Sequence, residues 1–276
     1  MGDRMKVACV QMNSSRDIAQ NVAVLSKLVR DAVATGAELV ATPENTFVMG
    51  DPPAGEERIL YRLETHPGVA AASHLAKECR CWLLIGSVAV QDSAADGTKT
   101  YNRSLLFNPE GTLVQHYDKI HLFDVTLPNG EVYSESAKML PGDKAVVAQL
   151  PAAKLGMTIC YDVRFPYLYR ALAKAGAEIL AVPSAFTVPT GEAHWHVLLR
   201  ARTIENGCFV IAPAQTGTHP GGRKTYGHAL IIDPWGKVLA DAGTQEGFII
   251  ADLDITQVAA TRGKLPSLRH DRNFSI

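Results

Sequence analysis

The chain has 276 residues, 47% hydrophobic and 20% charged. That composition suits a globular protein with a sizeable core and excludes a fibre or a largely disordered chain. Lys plus Arg number 27 against 28 Asp plus Glu, and without a basic run this balance excludes the electrostatic footprint of a nucleic-acid binder, leaving a small molecule or a protein as partner.

Residues 1–6 run straight into the first strand-like segment without the apolar core of a signal peptide, and no later apolar run reaches the length of a membrane span. The expected location is therefore cytoplasmic, with no membrane partner. From there short apolar segments alternate with amphipathic ones, the rhythm of an α/β fold. Strands are predicted at 7–11 and 39–41 around a helix at 17–34, in which Val22, Leu25, Leu28, Val29 and Ala32 form one apolar stripe. A helix at 69–77 follows, then strands at 83–90, 104–108, 113–117, 145–150 and 155–159. A helix at 167–175, a strand at 179–183, a helix at 193–206 and strands at 209–213, 229–233, 238–240 and 248–252 complete the series. No Pro/Ser/Gly-rich linker interrupts it, so 1–276 is read as one domain. The five cysteines, an odd number at irregular spacing, suit reduced thiols better than a disulfide framework. Cys79 and Cys81 lack the second ligand pair that a structural zinc site needs.

Two internal echoes occur in the same order. Residues 35–43 (TGAELVATP) match 175–183 (AGAEILAVP), each a glycine-ended helix, a buried strand and a proline stop. Residues 108–114 (NPEGTLV) match 233–239 (DPWGKVL), each a hairpin turn. Two similar α/β halves with sheets face to face, helices outside and a site at the strand ends are implied.

Three positions carry candidate chemistry. Glu44 emerges where the first repeat's buried strand stops, a place for a carboxylate with a partner or a task, or for a plain loop charge. Lys119 follows a strand amid Tyr117, Ile120 and Phe123; a fixed ammonium there can stabilise an oxyanion and activate a thiol, and a surface lysine is the plain alternative. Cys160 stands between the apolar run 155–159 and Pro166, at a strand-to-helix corner. A thiol so placed can point into a cleft, with backbone N–H groups facing the oxygen of the carbonyl it attacks; otherwise it is a packed structural cysteine. His194 and His196 form an H-x-H pair, the basis of a rival metal-hydrolase reading, but residues two apart on a helix point about 200° away from each other. Trp195 between them is either core or pocket wall. A catalytically inactive interaction protein is a further alternative, opposed by the intact Glu44, Lys119 and Cys160.

Pro43-Glu44, Asp118-Lys119-Ile120-His121-Leu122-Phe123 and Thr158-Ile159-Cys160-Tyr161-Asp162-Val163-Arg164-Phe165-Pro166 together resemble the Glu, Lys and Cys motifs of the nitrilase superfamily, the carbon–nitrogen hydrolases. The resemblance covers almost the whole chain, and Glu135, followed by Pro141-Gly142, matches the superfamily's second glutamate. It implies a four-layer αββα sandwich, a homodimer or higher homo-oligomer, no metal and no organic cofactor. It also implies that Cys160 attacks an amide carbonyl and forms a thioester, Lys119 and the Tyr161 N–H hold the oxyanion, Glu44 transfers protons, and Glu135 orients the substrate or Lys119. Arg164 supports the corner or binds a substrate carboxylate. Residues 191–195, 198–205, 214–217, 226–228 and 233–236 resemble the deaminated-glutathione amidase and ω-amidase branch. This implies a small carboxylated amide substrate, with His194 and Trp195 among the candidate substrate-binding residues beside Tyr161 and Arg164. Glu192 departs from the proline that branch often carries there. Nitrile and N-carbamoyl substrates are the alternatives that the same residues allow.

Overall fold

The computed structural model describes residues 3–53, 55–56, 58–91, 98–128 and 130–275. The first part of the chain gives β1 (Arg4–Met12), α1 (Ile18–Ala34), β2 (Leu39–Ala41), α2 (Pro67–Cys79), β3 (Trp82–Val90), β4 (Thr100–Phe107) and β5 (Leu113–Asp118). Short strands β6 (Asp124–Thr126), β7 (Val132–Ser134) and β8 (Met139–Leu140) lead to β9 (Val146–Gln149), β10 (Lys154–Met157), α3 (Pro166–Lys174), β11 (Ile179–Ala181) and α4 (Val188–Asn206). The rest is β12 (Phe209–Ala212), β13 (Ala214–Thr218), β14 (Lys224–Tyr226), β15 (Leu230–Ile232), β16 (Val238–Asp241), β17 (Gly247–Asp254) and α5 (Thr256–Lys264).

One sheet runs β14-β13-β1-β2-β3-β4-β5, with β17 antiparallel on β1 and β8 parallel on β4; the other runs β16-β15-β12-β11-β10-β9. The alternation along β1 shows how they stack. Ala8, Val10 and Met12 join Leu25, Val29 and Ala32 of α1 and Leu75 of α2 in one core. Val7 and Cys9 face the other way, into a core shared with Leu155, Leu180 and Ile211 of the second sheet. Leu168 and Leu172 of α3 and Leu199 of α4 close that core from beyond the second sheet. A strand with period-two side chains and both faces buried must lie between two layers, so the order is helix, sheet, sheet, helix. Each aliphatic side chain so enclosed contributes roughly 1.5–3 kcal/mol.

The internal echoes recur bond for bond. Gly36 (φ +94°) and Gly176 (φ +99°) end α1 and α3 in the left-handed region that only glycine adopts freely. Their N–H groups donate to Val33 (2.8 Å) and Ala173 (3.1 Å). Glu38 and Glu178 then accept from the N–H of Lys6 and Lys154, each at 3.0 Å. In the paired hairpins Asn108 and Asp233 each accept two N–H bonds through Oδ1, from Glu110 and Thr112 and from Trp235 and Lys237.

The departures from the predicted elements are local. α4 begins at Val188, five residues ahead of the expected start, because Pro189 occupies the first turn, where a proline's missing N–H costs nothing. The strand expected to run to 159 stops at Met157, because the chain turns into the short 3-10 segment Cys160–Arg164. The hairpin β13–β14 and helix α5 were not expected. The hairpin's Gly221-Gly222 turn between threonine-rich arms is a recognisable signal.

Candidate active site

Glu44, Lys119 and Cys160 follow the ends of β2 and β5 in one sheet and of β10 in the other. Glu44 leaves β2 through a turn in which Thr46 Oγ1 donates to the Pro43 carbonyl (2.7 Å) and Gly86 N–H donates to Thr42 Oγ1 (2.9 Å). Gly86 is required by proximity, since a Cβ there would lie 2.1 Å from the Thr42 carbonyl oxygen and 2.5 Å from Pro183 Cβ. Lys119 is bracketed by its own N–H on the Asn102 carbonyl (3.0 Å) and the Gly142 N–H on its carbonyl (2.9 Å). Cys160 donates its N–H to Pro183 (2.9 Å) and holds φ at +48°, an unfavourable value for a residue with a Cβ.

The side chains converge. Lys119 Nζ donates to Glu44 Oε1 at 2.8 Å and to Glu135 Oε2 at 2.9 Å. Asn102 Nδ2 bridges the same two carboxylates at 3.0 and 3.1 Å, and the Ala185 N–H donates to Glu44 Oε2 at 3.0 Å. The Phe123 N–H holds Glu135 Oε2 at 2.7 Å. Glu44 and Lys119 are 3% and 2% exposed, so little water screens them. Burial opposes the Glu44 charge, but Lys119 outweighs it and holds the carboxyl below its ordinary range. Burial likewise opposes the Lys119 charge, and Glu135 and Glu44 outweigh it, keeping the ammonium well above the usual lysine value. Burial, then the Glu44 charge to which the thiol is hydrogen-bonded, pushes Cys160 up, while Lys119 pulls the other way. The arrangement keeps the thiol protonated beside a carboxylate that can take its proton.

The corner is held from beneath. Asp162, fully buried, accepts from the Ile159 N–H (2.8 Å), the Tyr117 hydroxyl (2.7 Å) and the His121 N–H (3.1 Å), and pairs with His121 Nδ1 (2.7 Å). Burial and then the Asp162 charge hold the Tyr117 phenol above its ordinary value. Arg202 Nε and Nη2 cap the Val163 carbonyl at 2.9 and 2.6 Å. Neither Asp162 nor Asn102 was singled out from the sequence. Asp162 lies inside the cysteine motif and was legible as an acid in an apolar run, whereas nothing local marks Asn102.

The wall is aromatic. Tyr161 meets Phe123 at 5.1 Å and Phe165 at 5.4 Å between ring centroids. The Arg164 guanidinium lies 5.8 Å from the Tyr161 ring and 5.5 Å from that of Phe186, with His194 Nδ1 at 3.3 Å from Nη1. One expectation changes and another holds. Trp195 does not face the pocket: it is fully buried, packs on Phe186 at 4.7 Å and donates its indole N–H to the His228 carbonyl. His194 and His196 diverge as their helical spacing requires, and α4 sends His196 to Asp241 (3.1 Å), which also pairs with His228 (2.9 Å). Among the described residues those last three, with ligand atoms within 4.8 Å of one another, are the grouping that fits a metal ion, and His194 is not part of it.

The chain is similar to known proteins along nearly its whole length. A deaminated glutathione amidase of Synechocystis is 43% identical over 270 residues, 95% of this chain and 96% of that protein. The human omega-amidase is 34% identical over 270 residues, 97% of this chain and 95% of its own. The crystal structure of the C. elegans NitFhit protein superposes with a TM-score of 0.89 at 33% identity, over 98% of this chain and 66% of that longer one. The carbon–nitrogen hydrolase pattern itself matches residues 6–263. Sequence, fold and relatives agree that the chain belongs to the carbon–nitrogen hydrolase family, within the nitrilase superfamily.

Proposed function

We propose that the chain is a thiol-dependent amidase that cleaves a small carboxylated amide, with deaminated glutathione as substrate and 2-oxoglutarate and Cys-Gly as products. The observation that carries this reading is Lys119 held between Glu44 and Glu135 at 2.8 and 2.9 Å, beside a buried thiol on a strained corner. As the Cys160 sulfur attacks the amide carbon, its proton passes to Glu44, and the carbonyl oxygen gains a charge that Lys119 and the Tyr161 N–H hold. Glu44 returns that proton to the departing amine, leaving a thioester. Water then attacks, gives a proton to Glu44, and the released thiolate is reprotonated by it. Glu135 fixes Lys119, Tyr161 and Phe123 line the approach, and Arg164, backed by His194, receives a carboxylate at the rim; Trp195 supports Phe186 from behind. No step calls on a metal or an organic cofactor.

An omega-amidase acting on 2-oxoglutaramate is the second reading, favoured by the similarity to the human omega-amidase over nearly the whole chain. Comparing kcat/KM for the two amides decides between them, and a preference for neither discards the narrow assignment. The mechanism is tested apart from the substrate. Turnover is expected to vanish in Cys160→Ala and to survive EDTA; loss with EDTA sinks it.

A homodimer in the cytoplasm belongs to the same reading. Val197, Ile204 and Trp235 are 68%, 48% and 58% exposed, and Gly236 packs on Ile204, so α4 and the turn before β16 offer one apolar patch suited to a second copy. All five cysteines are free, which suits a reducing compartment. Among the described residues no helix is long and apolar enough to cross a membrane.

A further inference from the structure

The hairpin β13–β14 carries a cation that the mechanism above leaves unused. Arg223 lies in its turn. His219, 3% exposed, pins that turn through Nδ1 to the Ser14 carbonyl (2.9 Å), Nε2 to Thr225 Oγ1 (2.7 Å) and its N–H to the Arg223 carbonyl (2.8 Å). β14 is tied to the segment after β11 by the Tyr226 N–H on the Phe186 carbonyl (3.0 Å).

So anchored, Arg223 reaches back over the catalytic cluster. Its Nη2 donates to the Ala185 carbonyl at 2.8 Å, and the N–H of the same Ala185 holds Glu44 Oε2 at 3.0 Å. The guanidinium carbon lies 5.3 Å from the centre of the Tyr133 ring, two residues before Glu135. After Lys119, the Arg223 charge contributes to keeping Glu44 low. Nε is buried without a hydrogen-bond partner, and among the described residues no carboxylate pairs with Arg223. A guanidinium has five N–H donors in a planar fork that matches a carboxylate. A strut for Ala185 needs one donor and no charge; an unpaired cation one residue away from the catalytic carboxylate points to an anionic ligand.

We propose that Arg223 is a specificity-determining residue that receives the carboxylate on the acyl side of the amide, so that the scissile carbonyl comes to rest over Cys160. This rests on the reading of the chain as an amidase for carboxylated amides. The acyl carboxylate of a 2-oxoglutaryl group is only a few bonds from the amide carbon, which suits the arginine joined to Glu44 through Ala185. A carboxylate on the leaving amine reaches further out, towards Arg164 at the rim.

The test compares kcat/KM for 2-oxoglutaramate with that for 4-oxopentanamide, the same amide with a methyl group in place of the carboxylate. The wild type is expected to prefer the carboxylated amide, and Arg223→Gln to shrink that ratio by on the order of 100-fold. Arg164→Gln is expected to move instead the ratio between deaminated glutathione and 2-oxoglutaramate. Should Arg223→Gln fail to fold, Arg223→Lys carries the test, because it keeps the charge, loses the fork and is expected to retain only part of the preference. A ratio unchanged by either Arg223 variant, with both amides slowed alike, assigns Arg223 to supporting Glu44 and overturns the inference. A wild type that turns over amides without preferring the carboxylate removes the substrate class itself, which is a distinct result.

Discussion

Both Glu44 oxygens are committed, Oε1 to Lys119 and Asn102 and Oε2 to the Ala185 N–H, so this carboxylate meets the thiol in one orientation. Glu44→Gln keeps the shape and loses the proton acceptor, and kcat/KM is expected to fall about 10³-fold, measured on whichever amide the wild type cleaves best. If Glu44 is the base, its depressed pKa puts the acid limb of kcat/KM below the ordinary glutamate value of 4.5. A pH profile with that limb above 4.5 contradicts the assignment. Asp162 offers a second residue-scale prediction. Each of its oxygens faces two donors from Ile159, Tyr117 and His121, and the amide of Asp162→Asn can accept on one side only. The variant is expected to lose about 2–4 kcal/mol in urea unfolding. Glu44, Lys119 and Cys160 were legible as candidates because each stands at a strand end inside a local motif, and Glu135 only through the family resemblance. Asn102 and Arg223 were not, because their meaning lies in what faces them from distant parts of the chain, as the bonds Asn102–Glu44 (58 apart) and Arg223–Ala185 (38 apart) illustrate.

At the scale of elements, the site depends on how closely β3 approaches the end of β2. Gly86→Ala pushes a methyl group into the Thr42 carbonyl, 2.1 Å away, and into the turn that delivers Glu44. Backbone cannot yield as a side-chain tip does, so the expected cost is about 1–3 kcal/mol, together with a fall in kcat; unaltered activity would show that Glu44 does not rely on that approach. Helix and strand positions were readable where period and punctuation agreed, as in α1, β3 and the two echoed hairpins. They failed where a short segment is stabilised from outside itself. β14 has three residues and persists because it pairs with β13 and its Thr225 bridges Thr187. The strand expected over 155–159 ends two residues early, because the bonds to Asp162 and Arg202 wind the corner into a turn.

Across the whole molecule, one continuous core joins both sheets to α3 and α4, and a single cooperative unfolding transition is expected; two resolved calorimetric transitions would separate the halves. The buried ion pair adds a pH signature. The Glu44 pKa is lowered from 4.5, so its contribution is present above 4.5 and lost as pH falls through the folded value. The Lys119 pKa is raised above 10.5, so its contribution is present below 10.5 and lost as pH rises through the folded value. The difference in unfolding free energy between wild type and Glu44→Ala is therefore expected to stay level between those limits and to narrow below the lower one, as read from urea midpoints against pH. The sequence by itself determined the α/β alternation, the two matching halves and the candidate side chains Glu44, Lys119 and Cys160, because periodicity, turn chemistry and motif are local properties. Only the tertiary structure decided that Trp195 is core, that Asn102 bridges Glu44 and Glu135, that Asp162 holds the Cys160 corner, and that Arg223 bonds Ala185 beside Glu44. Burial and unpaired charge arise when distant strand ends meet, and no stretch of chain carries that information alone.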